Sequence, residues 1–259
     1  MGSLCNFAEN EVLDHLLKVG SYSPPATVYL ALFHTADPGE AGTLTNEANY
    51  TGYARKAITF GAADARAITQ NAQVNFDPCT AGTNTIAYWG LMDSDVEGAG
   101  NMLAYGAFTT PKVVSAGYSP FVASGEISVS FSAGGVATAY ANAILDWLFR
   151  AQTLAQPTNI QVALFSTACS DAAAGTELTG GSYARVTCNG WDTASGGASA
   201  NTAAITFPQA TGDWSAATHA ALYDSAGPTY MMWLDVNDLT VLNGEYGRFI
   251  AGALDITLG

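Results

Sequence analysis

The chain has 259 residues and a formal net charge of −14, with 8 Lys plus Arg set against 22 Asp plus Glu. So few cations, with no cluster among them, cannot neutralise a phosphate backbone, which excludes nucleic acid as a partner. No run of about 20 apolar residues offers a membrane span.

Charged residues make up only 12% of the chain, against about 25% in an ordinary domain. The surface is therefore rich in small neutral residues. That composition suits a subunit covered by neighbours, or else a monomer with a Ser/Thr-rich β surface. The N-terminal stretch Met1–Gly20 has acids among its apolar residues and no cationic start, so it does not read as a signal peptide. Asn6 stands where myristoylation would need Ser or Thr.

The first predicted element is a helix. Phe7, Val12, Leu13, Leu16 and Leu17 recur at helical spacing, Asn6 is placed to cap it, and Gly20 ends it. An amphipathic helix needs an apolar seat, and the open face of the following sheet is the expected one. Val28, Leu30 and Leu32 then alternate with Tyr29, Ala31 and Phe33, a period-two strand. Asp37-Pro38-Gly39 is turn chemistry. "YARKAITF" is strand-like, "AITQNAQVNFDP" reads as a hairpin-like step into a further strand, and "TNTIAYWGLMDS" and "NMLAYGAFTT" supply two more. "ISVSF", with Ile127, Val129 and Phe131 on one side, closes the series.

The whole order then recurs about 130 residues later. Tyr140, Ile144, Leu145, Trp147 and Leu148 repeat the helix, and Ile160, Val162 and Leu164 repeat the first strand. Tyr183–Arg185 repeats Tyr53–Arg55, Asn201 aligns with Asn71, Phe207 with Phe76, and Leu222–Ser225 with Leu91–Ser94. "TYMMWLDVND" and "LDITL" complete the second copy. Turns every 8–12 residues argue for antiparallel sandwiches. The expected fold is mainly β: two tandem antiparallel β-sandwich modules, each preceded by one short N-terminal α-helix. Residues 1–131 form the first module, 132–139 a short Gly-containing linker, and 140–259 the second.

Duplication also tests for chemistry, because two active copies would keep their acids, bases and nucleophiles. None of His15, His34 and His219 is shared. Asp93/Asp224 reads as the only acid kept in both aligned motifs, and a turn role explains it. No G-x-S-x-G elbow and no phosphate-binding glycine loop is present. Cys5, Cys79, Cys169 and Cys188 do not repeat and form no metal-ligand spacing; Cys169 and Cys188 would pair only if their strands were neighbours. No catalytic, cofactor-binding or metal-binding residue is therefore expected, and the chain reads as non-enzymatic. A tail-associated hydrolase is the enzymatic alternative.

Three residues remain as candidates for contact or structural roles. Arg55 and Arg185 are a kept cation in a chain with few, fitted either to an anionic ligand or a neighbouring subunit, or to a local carboxylate or carbonyl. Trp191 lies in a Gly/Ser-rich stretch and is the expected exposed aromatic.

Leu32, His34–Thr43, Glu47 and Tyr50–Arg55 together resemble a motif of tail-fibre-like bacteriophage virion proteins, an aliphatic strand followed by "LHTADPGEAGT" and "YTGYAR". The match is close over about thirty residues and looser over the rest of the first module. The second module resembles the family mainly through the first. The resemblance implies a virion component, assembled in the host cytoplasm and carried on the outer surface of head or tail. Its expected partners are the major capsid protein or tail proteins and copies of itself, with no membrane and no cofactor. An exterior decoration or cement subunit stabilising the capsid is the leading expectation. A tail fibre or tail-associated protein that contacts the host surface, with a host glycan as ligand, is the alternative.

Overall fold

The computed structural model describes residues 2–226 and 230–258. Met1 and Gly259, the outermost residues of the two expected modules, lie outside them, as does Thr229, the first residue of the predicted "TYMMWLDVND" strand.

The first module runs β1 (Ser3–Leu4), α1 (Asn6–Leu16), β2 (Val28–His34), β3 (Lys56–Ile58), β4 (Ala67–Thr69), β5 (Val74–Asn75), β6 (Thr83–Met92), β7 (Met102–Ser115), β8 (Phe121–Val122) and β9 (Ser128–Ser130). The second runs α2 (Thr138–Arg150), β10 (Ile160–Phe165), β11 (Val186–Thr187), β12 (Ala198–Ala200), β13 (Ile205–Gln209), β14 (Ala217–Asp224), β15 (Tyr230–Leu239), β16 (Tyr246–Phe249) and β17 (Asp255–Thr257). The fold is mainly β, with two tandem modules of antiparallel sheets and two helices.

Each module has one main sheet, ordered β1-β7-β6-β2-β3 in the first and β11-β10-β14-β15 in the second. Two short ribbons, β4-β9 with β5-β8 and β12-β17 with β13-β16, complete each one. Here the expected hairpin-like step is corrected: β4 and β5 follow each other in sequence but pair with the end of the module, not with each other. A buried amide between the strands enforces this. Gln70 Nε2 donates to Ala72 O at 2.6 Å, and its Oε1 accepts from Ile127 N at 3.3 Å. In the second module Asn201 Nδ2 donates to Ala203 O and Ile250 O, and its Oδ1 accepts from Leu254 N. Asn201 is thus the counterpart of Gln70 rather than of Asn71.

The alternation in β2 separates two apolar layers. Val28, Leu30 and Leu32 face a continuous core that runs through both modules and both helices. Ala31 and Phe33 face outward onto Met92, Met102 and Cys5, with Leu44 of the following loop packed over them. The second module repeats this layer with Ala163, Phe165, Ala221 and Tyr223 under Cys169 and Ala174. The loop after each first strand therefore covers a second buried layer, although its sequence differs between copies. It also starts each helix. Asn6 N donates to Glu40 O and Thr138 N to Asp171 O, so the first helical turn is satisfied by a loop carbonyl contact at a position where Asn6 was expected to cap with its side chain.

The helices do not confine themselves to their own sheets. Backbone bonds from Cys5 N to Leu103 O and from Ala137 N to Met231 O hang each helix on its own module's long strand. Beyond that point α1 lies against β12 and α2 against β4, each on the other module. The two helices also meet: the His15 and Trp147 rings are 4.5 Å apart, and Tyr22 packs edge-on to Trp147.

Candidate functional site

Besides the turn acids Asp93/Asp224 and the strand-pairing amides Gln70/Asn201, two sets of polar side chains are kept in both modules. The first gathers on β2 and β10. In the first module Arg55 Nε donates to Glu47 Oε1 at 2.7 Å and Nη2 to Oε2 at 2.8 Å, a bidentate pair. Tyr53 Oη accepts from Leu32 N and donates to Glu47 Oε1, both at 3.0 Å. Arg55 Nη1 reaches the carbonyls of Ser94 and Ala99, and Gly98 N donates to Glu47 Oε2. The β6–β7 loop thereby closes over the pair, leaving side-chain exposures of 0% for Arg55 and 3% for Glu47.

The second module repeats the Glu–Tyr–Arg contacts of this arrangement. Arg185 makes the same bidentate pair with Glu177, and Tyr183 Oη accepts from Leu164 N and donates to Glu177. Five residues separate Asp224 from Tyr230, where eight separate Asp93 from Met102. The Arg185 guanidinium lies 3.7 Å from the Tyr223 ring, and the pair remains 30% and 27% exposed. Burial pushes both phenols up, Tyr53 well above the ordinary tyrosine value, so both remain proton donors to their glutamates. Glu47 and Glu177 correct the expectation that Asp93/Asp224 is the only acid kept. They stand six residues before the tyrosine and eight before the arginine in both copies, a spacing visible in the sequence.

The second set lies between the modules. Asn10 and Asp14, one helical turn apart on α1, accept backbone N–H bonds from Gly197 and Ala194 at 2.9 and 2.8 Å. Asn142 and Asp146 on α2 accept from Arg66 and Ala63 at 2.8 and 2.9 Å. The turns they grip match closely. Ala65 and Arg66 have φ of +46° and +68°, and Gly196 and Gly197 +59° and +72°. This is the left-handed pair that a two-residue hairpin needs. The sequence pattern is N-x-x-x-D in both helices, Asn10–Asp14 and Asn142–Asp146.

The remaining candidates are committed elsewhere. Trp191, expected to be exposed, is only 5% exposed. Its backbone pairs with Asn201 as that of Phe60 pairs with Gln70, so it occupies a core position of the module, and its Nε1 donates to Cys188 O at 2.9 Å. The Gly/Ser-rich run around it marks hairpin turns, not an open loop. Asp93 accepts from Asn101 N and Nδ2, and Asp224 from Thr158 N and Ala226 N, so both serve turns. All four cysteines are free and buried. His15 Nε2 lies 3.0 Å from Leu154 O, and burial holds its pKa down, so the neutral ring donates there. His219 pairs with Asp235 at 2.6 Å. An open trough of about 580 Å³ is lined by His34, Thr35, Asn49, Asn84, Thr85 and Tyr88. Its Asn84 amide is already spent on Asn49 and Tyr50. Among the described residues no three His, Cys, Asp or Glu side chains gather to hold a metal.

No curated protein matches this chain. Residues 3–130 and again residues 135–257 match one family, described as Gp80, podophage GP4 fiber I protein gp80. Two tandem copies of that family's module account for nearly all of the sequence, and the chain belongs to the podophage GP4 fiber I protein family, whose members are structural components of bacteriophages.

Proposed function

We propose that this protein is a non-enzymatic fibre subunit on the exterior of a phage particle, acting through contacts with other virion proteins and with copies of itself. One observation carries the reading. The polar pairs kept in both modules, among them Glu47/Glu177, Tyr53/Tyr183, Arg55/Arg185, Asn10/Asn142, Asp14/Asp146 and Asp93/Asp224, are spent on holding the fold. A catalytic or ligand-binding pair would have to leave a repeated group free to act. The fibre description of the family favours the tail as the place of attachment.

A second reading, a decoration or cement subunit on the capsid, draws support from the low charge and from the compact pairing of two similar modules. Two such modules suit a neighbour with local symmetry. Separating purified particles into heads and tails and assaying each fraction by mass spectrometry distinguishes the readings. Recovery with tails supports the fibre subunit, recovery with heads supports decoration, and absence from particles overturns both. Turnover of a polysaccharide or ester by the purified protein, abolished by one Ser or carboxylate substitution, would overturn the non-enzymatic reading.

A further inference from the structure

We propose that the module is itself a pairing unit whose partner is a second module of the same kind, so that this chain is a fused module dimer and its linker is dispensable for association. The clasp is reciprocal. α1 leaves its own sheet to grip the Ala194–Ala198 turn, and α2 leaves its sheet to grip the Ala63–Ala67 turn, through the same Asn and Asp positions and two equivalent backbone N–H groups in each turn. Two like surfaces that each supply a helix and accept one form a two-fold, self-complementary interface. A contact dictated only by tethering would have no reason to be the same in both directions.

One inter-module contact, the Arg66–Asp171 ion pair, lies beside the linker, but others lie away from it. His15 Nε2 meets Leu154 O, Phe60 packs 5.5 Å from Phe149, and Lys18 donates to Thr158 O. The core is continuous across the junction. By contrast Ala133 and Gly134 are exposed. Among the described residues, one side chain of the first module engages the linker by hydrogen bonds: Arg66, through Ser132 O and Val136 O. Its counterpart in the second module is Gly197, where no linker passes, and there the clasp forms without an arginine. The connection is thus an addition to an interface already complete.

The test uses the full chain with a specific protease site inserted between Ala133 and Gly134, both exposed. After complete cleavage the two halves should elute together at the position of the intact chain, with unchanged circular dichroism. Elution as separate halves at micromolar concentration would overturn the proposal, as would loss of folding on insertion alone, since either makes the linker essential. In the cleaved protein, D14A with D146A should weaken association at least tenfold. Unchanged association would show that the helices do not form the clasp, and would overturn the proposal equally.

Discussion

At the scale of single residues, the two Glu–Arg pairs have one chemistry and two environments. Arg55 is sealed beneath the β6–β7 loop, so Arg55→Ala leaves the Glu47 carboxyl buried without its cation. That change is expected to cost about 3–5 kcal/mol. Arg185 and Glu177 are near a third exposed, and water and salt share the work of solvating them, so Arg185→Ala should cost about 1 kcal/mol. Chemical denaturation of both variants checks the ranking, and equal losses would contradict the burial argument.

Glu9 supplies the pH dependence. Burial, and next the nearby Glu40 carboxylate, push its carboxyl up to about 7 from an ordinary value of 4.5. Its carboxylate lies against Gly197 of the other module. Below pH 4.5 Glu9 is neutral whether folded or unfolded and costs nothing. Between 4.5 and about 7 the unfolded chain releases this proton while the folded chain keeps it, so stability falls as pH rises and is lowest, for this group, above about 7. Glu9→Gln should therefore raise the melting temperature at pH 8 and leave it nearly unchanged at pH 4.5. A thermal melt at both values decides it, and a larger gain at the lower pH would contradict the assignment. Glu47 and Glu177 were legible from their constant spacing to Tyr and Arg. The burial of Trp191 was not, because its Gly/Ser-rich neighbours are turn residues whose compact hairpins are set by pairing far along the chain.

At the scale of elements, the same limit recurs. Periodicity located the helices and the long strands, since burial on one face leaves a repeat in the chain itself. It could not say what β4 and β5 pair with, because strands of two or three residues carry no partner information and the Gln70 and Asn201 amides that choose the partner look like any polar residue. Nor could an apolar helix face reveal which module it would cover. The N-x-x-x-D repeat on the opposite edge of each helix held that information. Gly197→Ala tests the clasp at its tightest point. The turn requires φ of +72°, and a Cβ there would lie 2.5 Å from Glu9 Oε2 and 2.8 Å from Leu258 O. The substitution should destabilise the chain by about 1–3 kcal/mol. Gly196→Ala, in the same turn with nothing within 4 Å, should cost less, about 1 kcal/mol, from backbone conformation alone. Denaturation midpoints that did not differ would show that the inter-module contact is loose.

At the scale of the whole molecule, the two copies of the module act as halves of one body. Their strands, turns and helices are repeated, their histidines and cysteines are not, and the kept polar groups either lock a sheet or lock one half to the other. Such an object suits a building block placed among neighbours better than two domains on a tether. Differential scanning calorimetry of the full chain tests this most directly. A single transition with a calorimetric to van't Hoff enthalpy ratio close to one is the expected result for halves that share a core and exchange helices. Two separable transitions, or a ratio close to two, would mean that the modules unfold independently and would contradict the account.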